Sequence, residues 1–74
     1  MVEGVTLNGA LMSKLTRRER EVAEKLASGK RQSFIANELM ISRRTVYNHV
    51  RSIREKIGAG SAFEAAVKLA ISEK

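Results

Sequence analysis

IANELMISRRTVYNHVRSIREKIG, residues 35–58, decides how this chain folds. Ile35, Ala36 and Leu39 share one face of a short helix by their spacing, and Val46, Val50, Ile53 and Ile57 form an apolar stripe along a longer one. Two helices that each carry a single apolar stripe bury those stripes together. Met40 and Ile41 link them, and Ser42 is placed to cap the second helix by accepting from the backbone N–H of Arg44 or Thr45. Gly58, after the last stripe residue, ends it. A short helix, a tight turn and a longer basic helix is how a compact domain offers one helix to the major groove of DNA.

The other side of that second helix carries the functional argument. At about 100° per residue, Arg44, Asn48, Arg51 and Glu55 point away from the stripe, with Tyr47 and Arg54 on one flank and Thr45, His49 and Ser52 on the other. Arginine can bond guanine bidentately and asparagine can bond adenine, whereas Thr, Ser, His and Tyr suit phosphate or edge contacts. A solvated helix surface is the competing reading, and the helix-turn-helix context favours recognition.

The run LTRREREVAEKLASG, Leu15 to Gly29, followed by IANELMIS, RTVYNHV and EKIG, closely resembles the C-terminal DNA-binding domain of LuxR-type regulators, also called the FixJ, NarL or GerE type. The resemblance implies an all-α, four-helix helix-turn-helix domain over residues 15–74, with the recognition helix third and a dimerising helix fourth. Residues 1–14 are then an N-terminal arm or linker remnant. Carried onto this chain, the family's base-reading positions fall on Tyr47, Asn48 and Arg51. Its phosphate-contacting positions fall on Thr45, His49 and the neighbouring basic residues Arg43, Arg44 and Arg54. The chain departs from the family at Gln32, Ser33 and Phe34, where asparagine, lysine and glutamate are frequent, at Tyr47 in place of a cation, and at Ala62 in place of an arginine. The target sequence of a relative therefore does not transfer.

Composition agrees with a small nucleic-acid-binding module. Seventy-four residues make one domain, and at that size only about 60% of the unfolded chain's surface is buried, so a tight helical core or a partner helps. There is no cysteine, which excludes disulfides and thiolate metal sites. No apolar run approaches the roughly 20 residues of a membrane span, and the first residues lack the pattern of a signal peptide, so a cytoplasmic location is expected. Of the net charge of +6, +4 falls on residues 31–58. A basic excess alone also suits an acidic protein or an anionic membrane; its concentration around one groove-sized helix favours a phosphate backbone.

Outside that core motif, Thr16 and Glu19 form a capping box for an earlier helix with Val22, Ala23 and Leu26 on its inner face. Ser61 and Glu64 do the same for a last helix over residues 62–72. That helix is apolar over a wide arc. Phe63, Ala66, Val67 and Ala70 are expected to face the core, leaving Ala62, Ala65 and Leu69 as a dimer seam; a loosely packed, alanine-rich terminal helix is the plainer alternative. Near the start, Asn8-Gly9 suits a two-residue hairpin turn between Val5-Thr6-Leu7 and Ala10-Leu11-Met12, and the same stretch also fits a frayed linker.

Enzyme readings find little to stand on. The one histidine, His49, has no cysteine and no nearby carboxylate arranged for it, and no phosphate-binding loop is present, so no cofactor or metal is expected. Two further readings stay open. One is a sigma-factor region-four-like module that meets promoters with RNA polymerase as its partner, and the other is a protein-interaction module using the last helix. The expectation is a transcription regulator that binds specific double-stranded DNA as a weak homodimer.

Overall fold

A computed structural model describes residues 6–70 as five helices: α1 Gly9–Met12, α2 Arg17–Ala27, α3 Gln32–Leu39, α4 Arg43–Ile57 and α5 Ala62–Ala70, with no strand among the described residues. The four expected helices are α2 to α5, so the helix expected to read DNA is α4. Ile71 and Ser72, the end of the expected last helix, lie outside the described residues.

Local chemistry explains the boundaries. Thr16 Oγ1 accepts from Glu19 N at 3.1 Å while Glu19 Oε1 accepts from Thr16 N at 2.9 Å, the reciprocal pair expected at the start of α2. Ser42 Oγ accepts from Thr45 N at 3.0 Å and starts α4. At α5 the box is shifted: Ser61 Oγ accepts from Glu64 N at 3.0 Å, but the Glu64 carboxylate reaches one residue further back, to Gly60 N at 2.8 Å. Gly58, at φ 73°, supplies the left-handed residue that ends α4. Met40 adopts the same conformation at φ 59° without being glycine, which compresses the link between α3 and α4 into a single turn.

The start of the chain differs from the hairpin expectation. Val5 lies outside the described residues, and Asn8 opens a helical turn, its Oδ1 accepting from Leu11 N at 3.1 Å. Asparagine serves both as a hairpin residue and as a helix cap, and here Asn8 N also donates to Leu69 O of α5 at 2.8 Å. Docking on α5 decides in favour of the cap, and Leu7, Leu11 and Met12 pack on the core.

The core is one cluster that includes Val22, Ala23 and Leu26 of α2, Ile35 and Ala36 of α3, and the whole Val46/Val50/Ile53/Ile57 stripe of α4. Helix α4 packs against α2, α3 and α5, and α5 packs against α2. In α5 the expected faces are exchanged. Ala65 and Leu69 are completely buried, whereas Phe63 is 79% and Val67 45% exposed. Residues 62, 65, 66 and 69 and residues 63, 66, 67 and 70 are both helical stripes, set about 100° apart. The stripe with the small Ala65 at its centre faces inward, which lets the helix approach α2 closely.

A polar cluster at Glu19 joins α2 to α4. Glu19 Oε2 accepts from Ser52 Oγ at 2.7 Å and Glu19 Oε1 from Lys56 Nζ at 2.8 Å, pinning the first turn of α2 to the last turns of α4. Burial by itself raises the carboxyl's pKa; donors from Lys56, Ser52 and the Thr16 backbone, with the Lys56 charge, outweigh it and hold the group at about 2. Because the folded value lies below the ordinary 4.5, the stabilisation is fully present above that pH and is lost as pH falls toward 2. It amounts to about 3 kcal/mol at most. Thermal or urea melts of the wild type should weaken steeply from pH 5 to pH 2.5, and Glu19→Gln should be less stable at pH 7 with a much flatter acid limb; parallel acid limbs for the two proteins would show that Glu19 has no such role.

Candidate nucleic-acid interface

Packing of the Val46/Val50/Ile53/Ile57 stripe fixes the roll of α4 and so determines what faces out. Arg44, Asn48, Arg51 and Glu55 are all exposed on one side, with Tyr47 beside them at 50% exposure. Thr45 and His49 are half-buried on the opposite flank, and the Thr45 hydroxyl is 2.9 Å from that of Ser42.

The first turn of α4 contains Arg43 and Arg44 and no acidic residue. Cations there oppose the positive end of the helix dipole, so they lower helix stability while concentrating positive potential at exposed backbone N–H groups. That arrangement is suited to a phosphate. Arg43 and Arg44 have no ion-pair partner among the described residues.

Two other cations of residues 31–58 are committed elsewhere. Lys56 is held by Glu19. Arg54, expected to meet phosphate, is half-buried and donates from Nη2 to Gly60 O at 2.8 Å, with its Nε buried and unpartnered. Its guanidinium braces the junction of α4 and α5, because one turn from the end of α4 the Gly58-Ala59-Gly60 linker folds back within its reach. Ser52, placed on the outer flank by helical spacing, turns inward to Glu19. Arg51 faces out and pairs with Glu55, Nε to Oε2 at 3.6 Å.

Of the expected seam residues, Ala65 and Leu69 lie in the core and are unavailable to a partner, and Ala62 is half-buried. The exposed apolar surface of α5 is instead Phe63 and Val67. Phe63 borders a groove of about 410 Å³ lined also by Leu26, Lys30, Arg31, Ala62 and Ala66. Two overlapping apolar stripes in the sequence were the available signal for this surface. Phe34 is half-exposed, with the Lys30 ammonium 4.9 Å from its ring centre.

Comparison with known families identifies the kind of domain. The profile of "Bacterial regulatory proteins, luxR family" matches residues 13–74. The chain belongs to the luxR family. Membership makes it a DNA-binding regulatory domain rather than an enzyme. It is 46% identical over 55 residues to the spore germination protein GerE of Bacillus subtilis strain 168, an alignment covering 74% of each chain. It is 46% identical over 55 residues to the transcriptional regulatory protein UhpA of Escherichia coli K12, covering 74% of this chain and 28% of that protein. With UhpA of Salmonella typhimurium the identity is 42% over 65 residues, 88% of this chain and 33% of that one. The chain thus spans most of one relative and about a third of the other two. No solved structure is a significant match.

Within this luxR-family domain the two kinds of arginine separate experimentally. Arg43→Ala or Arg44→Ala should weaken binding to any duplex and reduce the log-affinity versus log-salt slope by about 0.9 per lost phosphate contact, with little change in melting. Arg54→Ala should do the reverse, costing about 1 kcal/mol of stability and leaving the salt slope in place. Anisotropy titrations across a salt series, paired with thermal melts, distinguish the two; a slope that drops for Arg54→Ala would return that residue to the phosphate contacts.

Proposed function

We propose that this chain is a sequence-specific transcription regulator that reads double-stranded DNA in the major groove with the outward face of α4 and occupies paired half-sites as a weak dimer through α5. The observation that carries the reading is one helix face on which Arg44, Tyr47, Asn48 and Arg51 are exposed, while the opposite face of the same helix is the core. Side chains held on a rigid element and unbonded to any other helix suit recognition. Tyr47, Asn48 and Arg51 are the base readers in this reading, with Arg43, Arg44, Thr45 and His49 along the phosphates. A cytoplasmic location accords with that partner. UhpA is named a transcriptional regulatory protein, which supports the regulatory role. Among the described residues, no helix is long and apolar enough to cross a membrane.

The dimer part of the proposal rests on Phe63 and Val67. A seam of that size buries little apolar area, and association has to offset lost rotational and translational freedom, so the free protein is largely monomeric and adjacent half-sites supply the rest.

Selection from a random duplex library tests both parts. A two-part motif should emerge. Arg51→Ala should cost about 1 to 3 kcal/mol and relax one position of each half, while Val67→Glu, on an exposed position, should remove cooperative filling of paired half-sites and spare single ones. The absence of any selected motif, or an affinity independent of salt, would leave the interaction-module reading in its place.

A further inference from the structure

Glu55 is the only carboxylate on α4, and it stands on the face that carries the proposed base readers. Its side chain is 70% exposed and Oε2 lies 3.6 Å from Nε of Arg51, which is 66% exposed. Neither stability nor affinity accounts for an acid at this place. An exposed i,i+4 pair adds little to a helix, and a carboxylate turned toward a polyanion opposes binding. Glu55 also takes no part in the α2–α4 contact, where the adjacent Lys56 is the residue that meets Glu19.

The geometry of the pair suggests what the acid does. A guanidinium has five N–H donors, one on Nε and four on the two Nη atoms. An acid on the Nε side leaves the Nη1 and Nη2 pair pointing outward as a fork, which is the donor arrangement that a guanine O6 and N7 accept. A free arginine on a basic helix has a second option, a phosphate oxygen, which is closer to the helix flanks and carries no sequence information. A carboxylate one turn away disfavours that option by repelling the phosphate and by holding the side chain over the groove floor.

We propose that Glu55 is a positioning residue for base selectivity, which holds Arg51 for a base edge and keeps it off the phosphate backbone. This rests on the reading of α4 as the base-reading helix. Glu55 lowers total affinity and raises the ratio of specific to non-specific binding.

The test uses the protein with its selected duplex and a scrambled duplex of equal length, titrated by anisotropy over a salt series. Glu55→Gln, on an open surface, keeps the wild-type melting temperature. It binds the scrambled duplex about threefold to tenfold more tightly. Its salt slope steepens by about 0.9 per protomer as Arg51 gains a phosphate, and preference at the base pair that Arg51→Ala relaxes falls about threefold or more. In an Arg51→Ala background the same Glu55→Gln change leaves base preference and salt slope where they were. The inference is overturned if Glu55→Gln keeps full base preference, or if it tightens scrambled binding equally with and without Arg51, since Glu55 then merely repels the backbone. If Arg51→Ala itself leaves the selected motif unchanged, the base-reading assignment of α4 falls, and the role of Glu55 with it.

Discussion

A single buried carboxylate sets the geometry on which the rest depends. Glu19 accepts from its own helix start at Thr16 and from Ser52 and Lys56 on α4. A buried charge with one partner removed is strongly destabilising, whereas a fully bonded one specifies a single arrangement of the elements around it. Apolar stripes permit some sliding and rolling of helices past each other. The two directed donors from α4, Ser52 and Lys56, allow less, so polar geometry adds to packing in fixing the roll of α4 about its own axis.

With its roll fixed, α4 divides cleanly. Its inner stripe is the hub of the core, touched by α2, α3 and α5, and its outer face departs from the rules that favour an isolated helix. Two arginines occupy the first turn, where the dipole disfavours them, and the turn before it holds an exposed Met40 in a left-handed conformation. Local exceptions of this kind concentrate where a surface has a use other than stability. Lys25 meanwhile meets Glu38 at 2.9 Å and ties α2 to α3, holding the Glu38 carboxyl below its usual range mainly through that hydrogen bond.

The parts of this arrangement that were legible in the sequence are those with one apolar stripe per helix. Helices α2, α3 and α4 each have one solution for burial, and their caps at Thr16 and Ser42 are local in the chain. Helix α5 carries two overlapping stripes, and hydrophobic bulk was a poor guide to which faces in. The inner slot accepts Ala65 and Leu69, and Phe63 is left at the edge. Ser52, Arg54 and Lys56 were misjudged or passed over for another reason. Their partners are Glu19, 33 and 37 residues away from Ser52 and Lys56, and the Gly60 carbonyl. Helical spacing says which way a side chain leaves its helix and nothing about what another helix brings to meet it. The luxR-family resemblance pointed to α4 as the helix for DNA but was silent on the fate of each cation on it.

The outward positions of α4 have an evolutionary consequence. Arg44, Tyr47 and Asn48 take part in none of the side-chain hydrogen bonds among the described residues, and Arg51 has only its exposed pair with Glu55. Substitutions at such surface sites usually change folding free energy by no more than about 0.5 kcal/mol. The letters displayed by this helix can therefore drift or be exchanged between paralogues while the scaffold beneath them stays equally folded. On the proposed reading of α4, a duplicated copy can acquire a new set of targets without passing through an unstable intermediate.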